Sequence, residues 1–167
     1  RNKVIALQDS ISTYVMSSAP RGTVEARVGG SLGDLYGLGY ERSPDGQVVY
    51  NGGYPVLGLN SQKIGNTTSP YKAAMGANFG YKRFKFNALF DAQFGGVAYS
   101  LTHSVLADEG KLKKTLPGRY NGIIGDGVVK NADGSYSPNT MVAPITATYY
   151  KTHFNRDNVE SNTFSTD

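Results

Sequence analysis

Residues 71 to 96, YKAAMGANFGYKRFKFNALFDAQFGG, constrain the fold more than any other part of the chain. Alternate residues of the first half place Tyr71, Ala73, Met75, Ala77, Phe79 and Tyr81 on one face. Lys72, Ala74, Gly76, Asn78, Gly80 and Lys82 fall on the other. After Lys82 the phase flips: Phe84, Phe86, Ala88, Phe90, Ala92 and Phe94 now alternate with Arg83, Lys85, Asn87, Leu89, Asp91 and Gln93. A strand period is 2, so folding the segment about Lys82-Arg83 brings both apolar sets to one face of an antiparallel hairpin, and paired residue numbers sum to 165. Any even-length turn keeps this register; Lys-Arg lacks the positive-φ preference of a type I′ loop, so a two-residue loop is not required. Twelve successive face positions without a polar residue, in a chain that is 39% hydrophobic, arise by chance with a probability of about 10⁻⁵ per register.

Two environments fit such a face. One is a soluble β-sandwich, in which a second sheet covers it. The other is lipid. Each arm runs about 11 residues, the length a tilted strand needs to cross a bilayer, whereas soluble strands cluster near 5 to 6. At about 3.3 Å per residue and a tilt near 40° such an arm spans about 28 Å, the height of the apolar band of an outer-membrane barrel. Phe79, Tyr81, Phe84 and Phe86 gather at the turn and Tyr71 and Phe94 at the opposite end, as interfacial aromatic girdles do.

Composition supports strands. The 167 residues include 21 Gly and 12 Tyr with only 18% charged residues, which suits strands and turns better than a helical bundle. No run approaches 18 consecutive apolar residues, so no transmembrane helix is expected. There is no Cys, which removes disulfides and thiolate metal sites. The net charge of +4 is spread along the chain, with Lys111, Lys113 and Lys114 the only dense group, so no nucleic-acid partner is expected. The opening at Arg1 reads as mid-strand and no signal peptide precedes it, so the sequence reads as an internal piece of a longer protein.

Outside the hairpin the chain is rich in turn signals. Lys3 to Leu7 read as a strand end and Ile11 to Val15 as a β-rich segment. Asp45-Gly46 ahead of Val48-Val49-Tyr50 is a hairpin signal, and Gly52-Gly53 marks another turn. Beyond Gly95-Gly96, Ala98, Leu101, Val105 and Leu106 take a helical spacing that Gly110 stops. Asn131-Ala132-Asp133-Gly134 is a further turn, Pro144 can start a second short helix through Tyr149, Tyr150 and Phe154, and Thr163 to Asp167 read as the entry to another strand.

Several of these residues match a known family. Gly33-Asp34-Leu35-Tyr36-Gly37, Ile64-Gly65-Asn66, the hairpin ending Phe90-Asp91-Ala92-Gln93-Phe94-Gly95-Gly96, and Tyr99-Ser100-Leu101-Thr102 resemble the later barrel region of SusC/RagA proteins, TonB-dependent outer-membrane transporters. Gly118 to Val128 resembles that family's stretch beyond a loop helix, and Phe154-Asn155-Arg156 through Asp167 the approach to the next barrel strand. The resemblance covers nearly the whole chain in order. It implies a fold that is all-β, a partial segment of a large antiparallel transmembrane β-barrel of roughly 22 strands with long extracellular loops containing short helices. In this reading residues 1–167 are part of one barrel domain, with 71–96 the transmembrane hairpin and 8–70 and 97–160 extracellular. The implied function is import of glycans or peptides across the cell outer membrane, with a SusD-like lipoprotein lid and TonB as partners and an oligosaccharide or peptide as substrate. The TonB box, the plug and the C-terminal strands of that family are not among these residues.

Candidates for chemistry are sparse. His103 has Ser100, Ser104, Asp108 and Glu109 nearby in sequence, but no nucleophile-elbow motif occurs and Asp108, five residues on, is off its helical face. No catalytic residue and no cofactor are expected. Asp126, Asn131 and Asp133 lack the alternating acidic pattern of a calcium loop and read as turn residues. Tyr36, Tyr40, Tyr50, Tyr54, Tyr120 and Tyr149 could each stack on a sugar ring or pack a loop. Asn87, Asp91 and Gln93 are the candidate lumen-facing binding residues, with hydrogen bonding to a plug as their default role. Beside transport stand a soluble extracellular sandwich module for binding or adhesion and, with least support, a two-carboxylate glycan enzyme, whose acids would not be this scattered.

Overall fold

A computed structural model describes residues 2–18 and 21–166; Arg1 and Asp167, where strand is expected at each end of the sequence, lie outside the described residues. The chain forms β1 (Thr13–Ser18), β2 (Thr23–Arg27), β3 (Asp34–Gly37), β4 (Val49–Asn51), β5 (Tyr54–Pro55), β6 (Gln62–Asn66), β7 (Tyr71–Tyr81), β8 (Phe84–Phe94), β9 (Val97–Tyr99), α1 (Leu101–Asp108), β10 (Val128–Lys130), β11 (Tyr136–Pro138), α2 (Thr146–His153) and β12 (Thr163–Ser165). Strands dominate and the two helices are short, so the all-β expectation holds at the level of class. The sheets have orders β1-β2-β3-β6, β11-β10-β4-β5, β12-β9 and β7-β8, and among the described residues none closes into a barrel.

The hairpin forms in the expected register. Tyr71 lies opposite Phe94 and Tyr81 opposite Phe84, with the nine intervening pairs in step, so every pair sums to 165. The loop is two residues long. Lys82 alone of the two takes a positive φ, 51°, which is the φ pattern of a II′ turn rather than I′, a turn that favours Gly at that first position. β7 continues from β6 and β8 runs into β9, so the hairpin projects from the rest of the molecule at its Tyr71/Phe94 end.

The body attached to that end has its own core. Tyr50, Ala107, Ala143, Tyr149, Tyr150 and Phe154 are buried together, with Val48, Tyr54, Leu112, Ile123 and Val129 packed against them. Tyr149 and Tyr150 of α2 and Phe154 just beyond its end face this core, because a helix period of 3.6 brings Tyr150 and Phe154, four residues apart, to the same side. Helix α1 is capped at Ser100, whose Oγ accepts from His103 N at 3.2 Å. It ends in a Schellman pair, Gly110 N to Ala107 O and Lys111 N to Leu106 O. A second hub is Asn162, fully buried, whose Nδ2 donates to the carbonyls of Phe154, Asn155 and Asn158.

Four local expectations need correction. Ala98 is in β9, opposite Phe164 of β12, not in a helix. Gly95 and Gly96, at φ 70° and 99°, bend the chain so that Val97 to Tyr99 pair with β12, and the Ser100 cap delays the helix. Lys3 to Leu7 form no strand: only Val4 exchanges backbone bonds, with Gly29 and Gly30, and Ile5 is exposed. The β-rich segment begins at Thr13 and extends to Ser18. Pairing is not wholly antiparallel either, because β10 runs parallel to β4, a pairing supplied by a connection of more than seventy residues.

Candidate functional site

The hairpin presents its apolar face without a cover. Tyr71, Met75, Phe79, Tyr81, Phe84, Phe86, Phe90 and Phe94 are each 51% to 79% exposed. The two arms pack chiefly on each other, and Phe79 and Phe86 lie with ring centroids 6.3 Å apart. Eight large apolar side chains in one continuous patch far exceed the isolated exposed hydrophobics common on soluble surfaces. On the opposite face Leu89, also exposed, is the one large apolar residue.

Asn87, Asp91 and Gln93 stand on that opposite face, as their phase requires. Asn87 is opposite Asn78, Asp91 opposite Ala74 and Gln93 opposite Lys72. Four residues of strand separate Asn87 from Asp91, about 13 Å, so these side chains form a line and not one pocket. Gln93 is tied to the body: its Nε2 donates to Thr166 Oγ1 at 3.3 Å. Asn87 and Asp91 are exposed.

The six tyrosines divide sharply. Tyr36, Tyr50 and Tyr149 are buried, and Arg27 covers the Tyr36 ring at 3.9 Å. Tyr40 is half-buried and donates through its hydroxyl to His153 O at 3.0 Å, while half-buried Tyr54 accepts from Ile145 N at 3.1 Å. Burial holds the Tyr40 and Tyr149 phenols well above their ordinary range. Tyr120 differs, with 98% of its surface exposed. It borders a cleft of about 1040 Å³ between the end of α1, the turn at Pro117 to Gly122 and the start of α2, a volume at the upper end of ligand sites.

The Tyr120 turn is held in place. Tyr150 Oη donates to Pro117 O at 2.9 Å and Thr146 Oγ1 to Gly118 O at 2.9 Å. Arg119 Nε donates to Thr115 O at 3.0 Å and Nη2 to Gly110 O at 2.6 Å. The backbone on either side of Tyr120 is thus fixed while its ring stands in solvent, and Asp108, Glu109 and Asn121 at the same cleft supply hydrogen-bonding groups. Sequence reasoning named Tyr120 but not this setting. The signal available was an aromatic between Pro117-Gly118 and Gly122.

The remaining polar candidates are in structural use. His103 Nδ1 meets Asn162 Oδ1 at 2.8 Å and its ring lies edge-on to Phe154 and Phe164 at 5.2 and 4.7 Å. Asp108 pairs with Lys151 at 3.5 Å, and Ser104 Oγ donates to Phe154 O at 2.7 Å, so no nucleophile–base–acid relay forms around His103. Burial lowers the His103 pKa, and its Asn162 partner opposes that shift. His153 stacks on Tyr149 at 5.6 Å and sits 5.1 Å from Tyr40; burial, reinforced by the Lys114 charge, pushes its pKa down to about 4. Asp133 shapes its turn by accepting from Ser135 N and Oγ at 2.9 and 2.6 Å, and these bonds lower its pKa. Among the described residues no group of three His, Asp or Glu side chains is placed to hold a metal. No protein-family model matches the chain, and no curated protein sequence matches it.

Proposed function

We propose that this chain is an internal segment of a SusC/RagA-type β-barrel of the cell outer membrane, whose work is TonB-dependent import of glycans or peptides beneath a SusD-like lipoprotein. The observation that carries the reading is the β7-β8 hairpin: two 11-residue arms in strict register with an apolar face on which no described element packs. Eleven residues at a tilt near 40° match the hydrocarbon thickness of a bilayer, and the aromatic residues sit at both ends of the arms. A soluble sandwich needs a second sheet over that face.

The topology follows from loop length. Outer-membrane barrels keep short turns on the periplasmic side and long loops outside, so the two-residue Lys82-Arg83 turn is periplasmic and the bodies at 8–70 and 97–160 are extracellular. Asn87, Asp91 and Gln93 then face the lumen. The Tyr120 cleft, lined by the end of α1 and the start of α2, is suited to a sugar ring or a peptide side chain. In this reading the protein is a transporter and not an enzyme.

Backbone hydrogen bonding supplies the test. A two-stranded sheet leaves both outer edges unpaired, which is costly in hydrocarbon, and its apolar face is unfavourable in water. Light scattering on the purified 167-residue chain without detergent is expected to show self-association that neutral detergent reverses. A monodisperse, cooperatively melting monomer in plain buffer overturns the proposal in favour of a soluble module.

A further inference from the structure

The turn of the hairpin has a chemistry of its own. Between Lys72 and Asp91 the chain carries no acidic residue, and three of its cations, Lys82, Arg83 and Lys85, cluster at the tip. All three are exposed. Among the described residues the ion pairs engage Arg21, Arg27, Arg42, Lys63 and Lys151, and none involves the tip.

Lys-Arg is also a poor choice for the turn itself. Two-residue hairpin loops favour Asn, Asp or Gly at positions of positive φ, yet Lys82 adopts φ 51°. The loop therefore forgoes the residues best suited to its backbone and presents two long cations. Lys82 Nζ stays within 5.3 Å of the Tyr81 ring centroid. Just behind the tip lie the aromatic pairs Tyr81–Phe84 and Phe79–Phe86, and behind them the smaller Ala77–Ala88 pair. The sequence from mid-arm to tip thus runs apolar, aromatic, cationic. That is the order of hydrocarbon, interface and headgroup phosphate in a phospholipid leaflet.

We infer that Lys82 and Arg83 bind the anionic phosphate headgroups of the phospholipid leaflet in which the hairpin ends, an inference that rests on the membrane reading of the β7-β8 face; Lys85, in phase with Asn87, stands on the lumen face and is not part of the site. Arg83 can take one phosphate through two parallel N–H bonds, and Lys82 acts as a point charge on a neighbouring headgroup. Each cation near an anionic surface contributes roughly fivefold in affinity at low salt, so the two together contribute about 25-fold.

The chain has no Cys, so Ala77→Cys carries a single polarity-sensitive fluorophore on the apolar face. The labelled chain, diluted from neutral detergent, is titrated with vesicles of phosphatidylcholine alone or with a minority of phosphatidylglycerol. The expected result is a blue shift with both vesicles and about 25-fold tighter binding to the anionic ones at low salt, weakening as salt screens the surface. Lys82→Ser with Arg83→Ser should bring the anionic affinity down to the neutral level. Lys111→Ser with Lys113→Ser removes the same charge from the body and should leave the preference in place. Lys82→Gly with Arg83→Asn installs the residue favoured at the first position of a II′ turn, guards against misfolding, and should lose the preference as well. No blue shift with either vesicle overturns this inference, while light scattering on the unlabelled chain decides the membrane reading separately. A blue shift with no loss in the tip variants, or equal loss in the body variant, overturns the headgroup site alone. Tight binding to heparin without any blue shift overturns it in favour of a soluble polyanion.

Discussion

A lysine placed on the outward face of the hairpin is expected to be far more damaging than the same lysine on the inward face at nearly the same depth. Phe90 and Asn87 provide the pair. Each residue of a strand tilted near 40° advances about 2.5 Å along the membrane normal. The midpoint of the arm is Leu89, so Phe90 lies about 2.5 Å and Asn87 about 5 Å from the midplane. Phe90 shares the apolar face with Met75, its cross-strand partner, and Asn87 shares the polar face with Asn78. Phe90→Lys therefore puts an ammonium into hydrocarbon near its centre, at a cost of about 2 to 4 kcal/mol, or roughly 30-fold to 1000-fold in the folding equilibrium. Asn87→Lys enters a polar, hydrated lumen and should cost under about 1 kcal/mol. Urea titration of the complete barrel folded into phosphatidylcholine vesicles reads both numbers. Equal losses for the two variants would mean that both faces are buried in protein, and the lipid-facing wall would be refuted.

Three further outcomes are expected. In intact cells, a cysteine at Ser135 should react with a membrane-impermeant maleimide while one at Lys82 stays protected; labelling at Lys82 alone reverses the orientation. Acid should weaken the body through His153: its folded pKa of about 4 lies below the ordinary 6.5, so the stabilisation is complete above pH 6.5 and is lost as pH falls toward 4, about 3 kcal/mol in all, and His153→Gln should flatten that part of the pH–stability curve measured by urea titration in neutral detergent. Asn162→Ala leaves the carbonyls of Phe154, Asn155 and Asn158 and the His103 ring without their shared partner, and should destabilise the body by about 3 kcal/mol in the same titration; a loss under about 0.5 kcal/mol contradicts its role as a hub.

The hairpin register was legible from the amino acids alone because it is a local code. A period of 2, a phase flip and paired aromatics act between residues close in sequence, and no distant contact competes with them. Turn positions at Asp45-Gly46, Gly52-Gly53 and Asn131 to Gly134, and the two short helices, were legible for the same reason. The strands β2, β3 and β6 were not. They are short, their Gly- and Asp-rich stretches carry mainly turn signals, and β3 takes a second partner beside β2 from residues about thirty positions away.

What the sequence determined by itself was therefore the class of structure, strands and turns with one long amphipathic hairpin, and the faces on which Asn87, Asp91 and Gln93 stand. Tertiary structure decided the roles of chemically identical residues. Tyr50 is buried because Gly125 leaves room for its ring: a Cβ there would lie 2.1 Å from Tyr50 Cε1. Tyr120, whose turn is pinned by Tyr150 and Thr146 from α2, stands in solvent. His103 and His153 owe their lowered pKa values first to burial and then to the Lys114 charge, while Asn162, fifty-nine residues from His103, opposes the shift there. Local periodicity fixes which way a side chain points, whereas burial depends on which distant segment arrives to cover it.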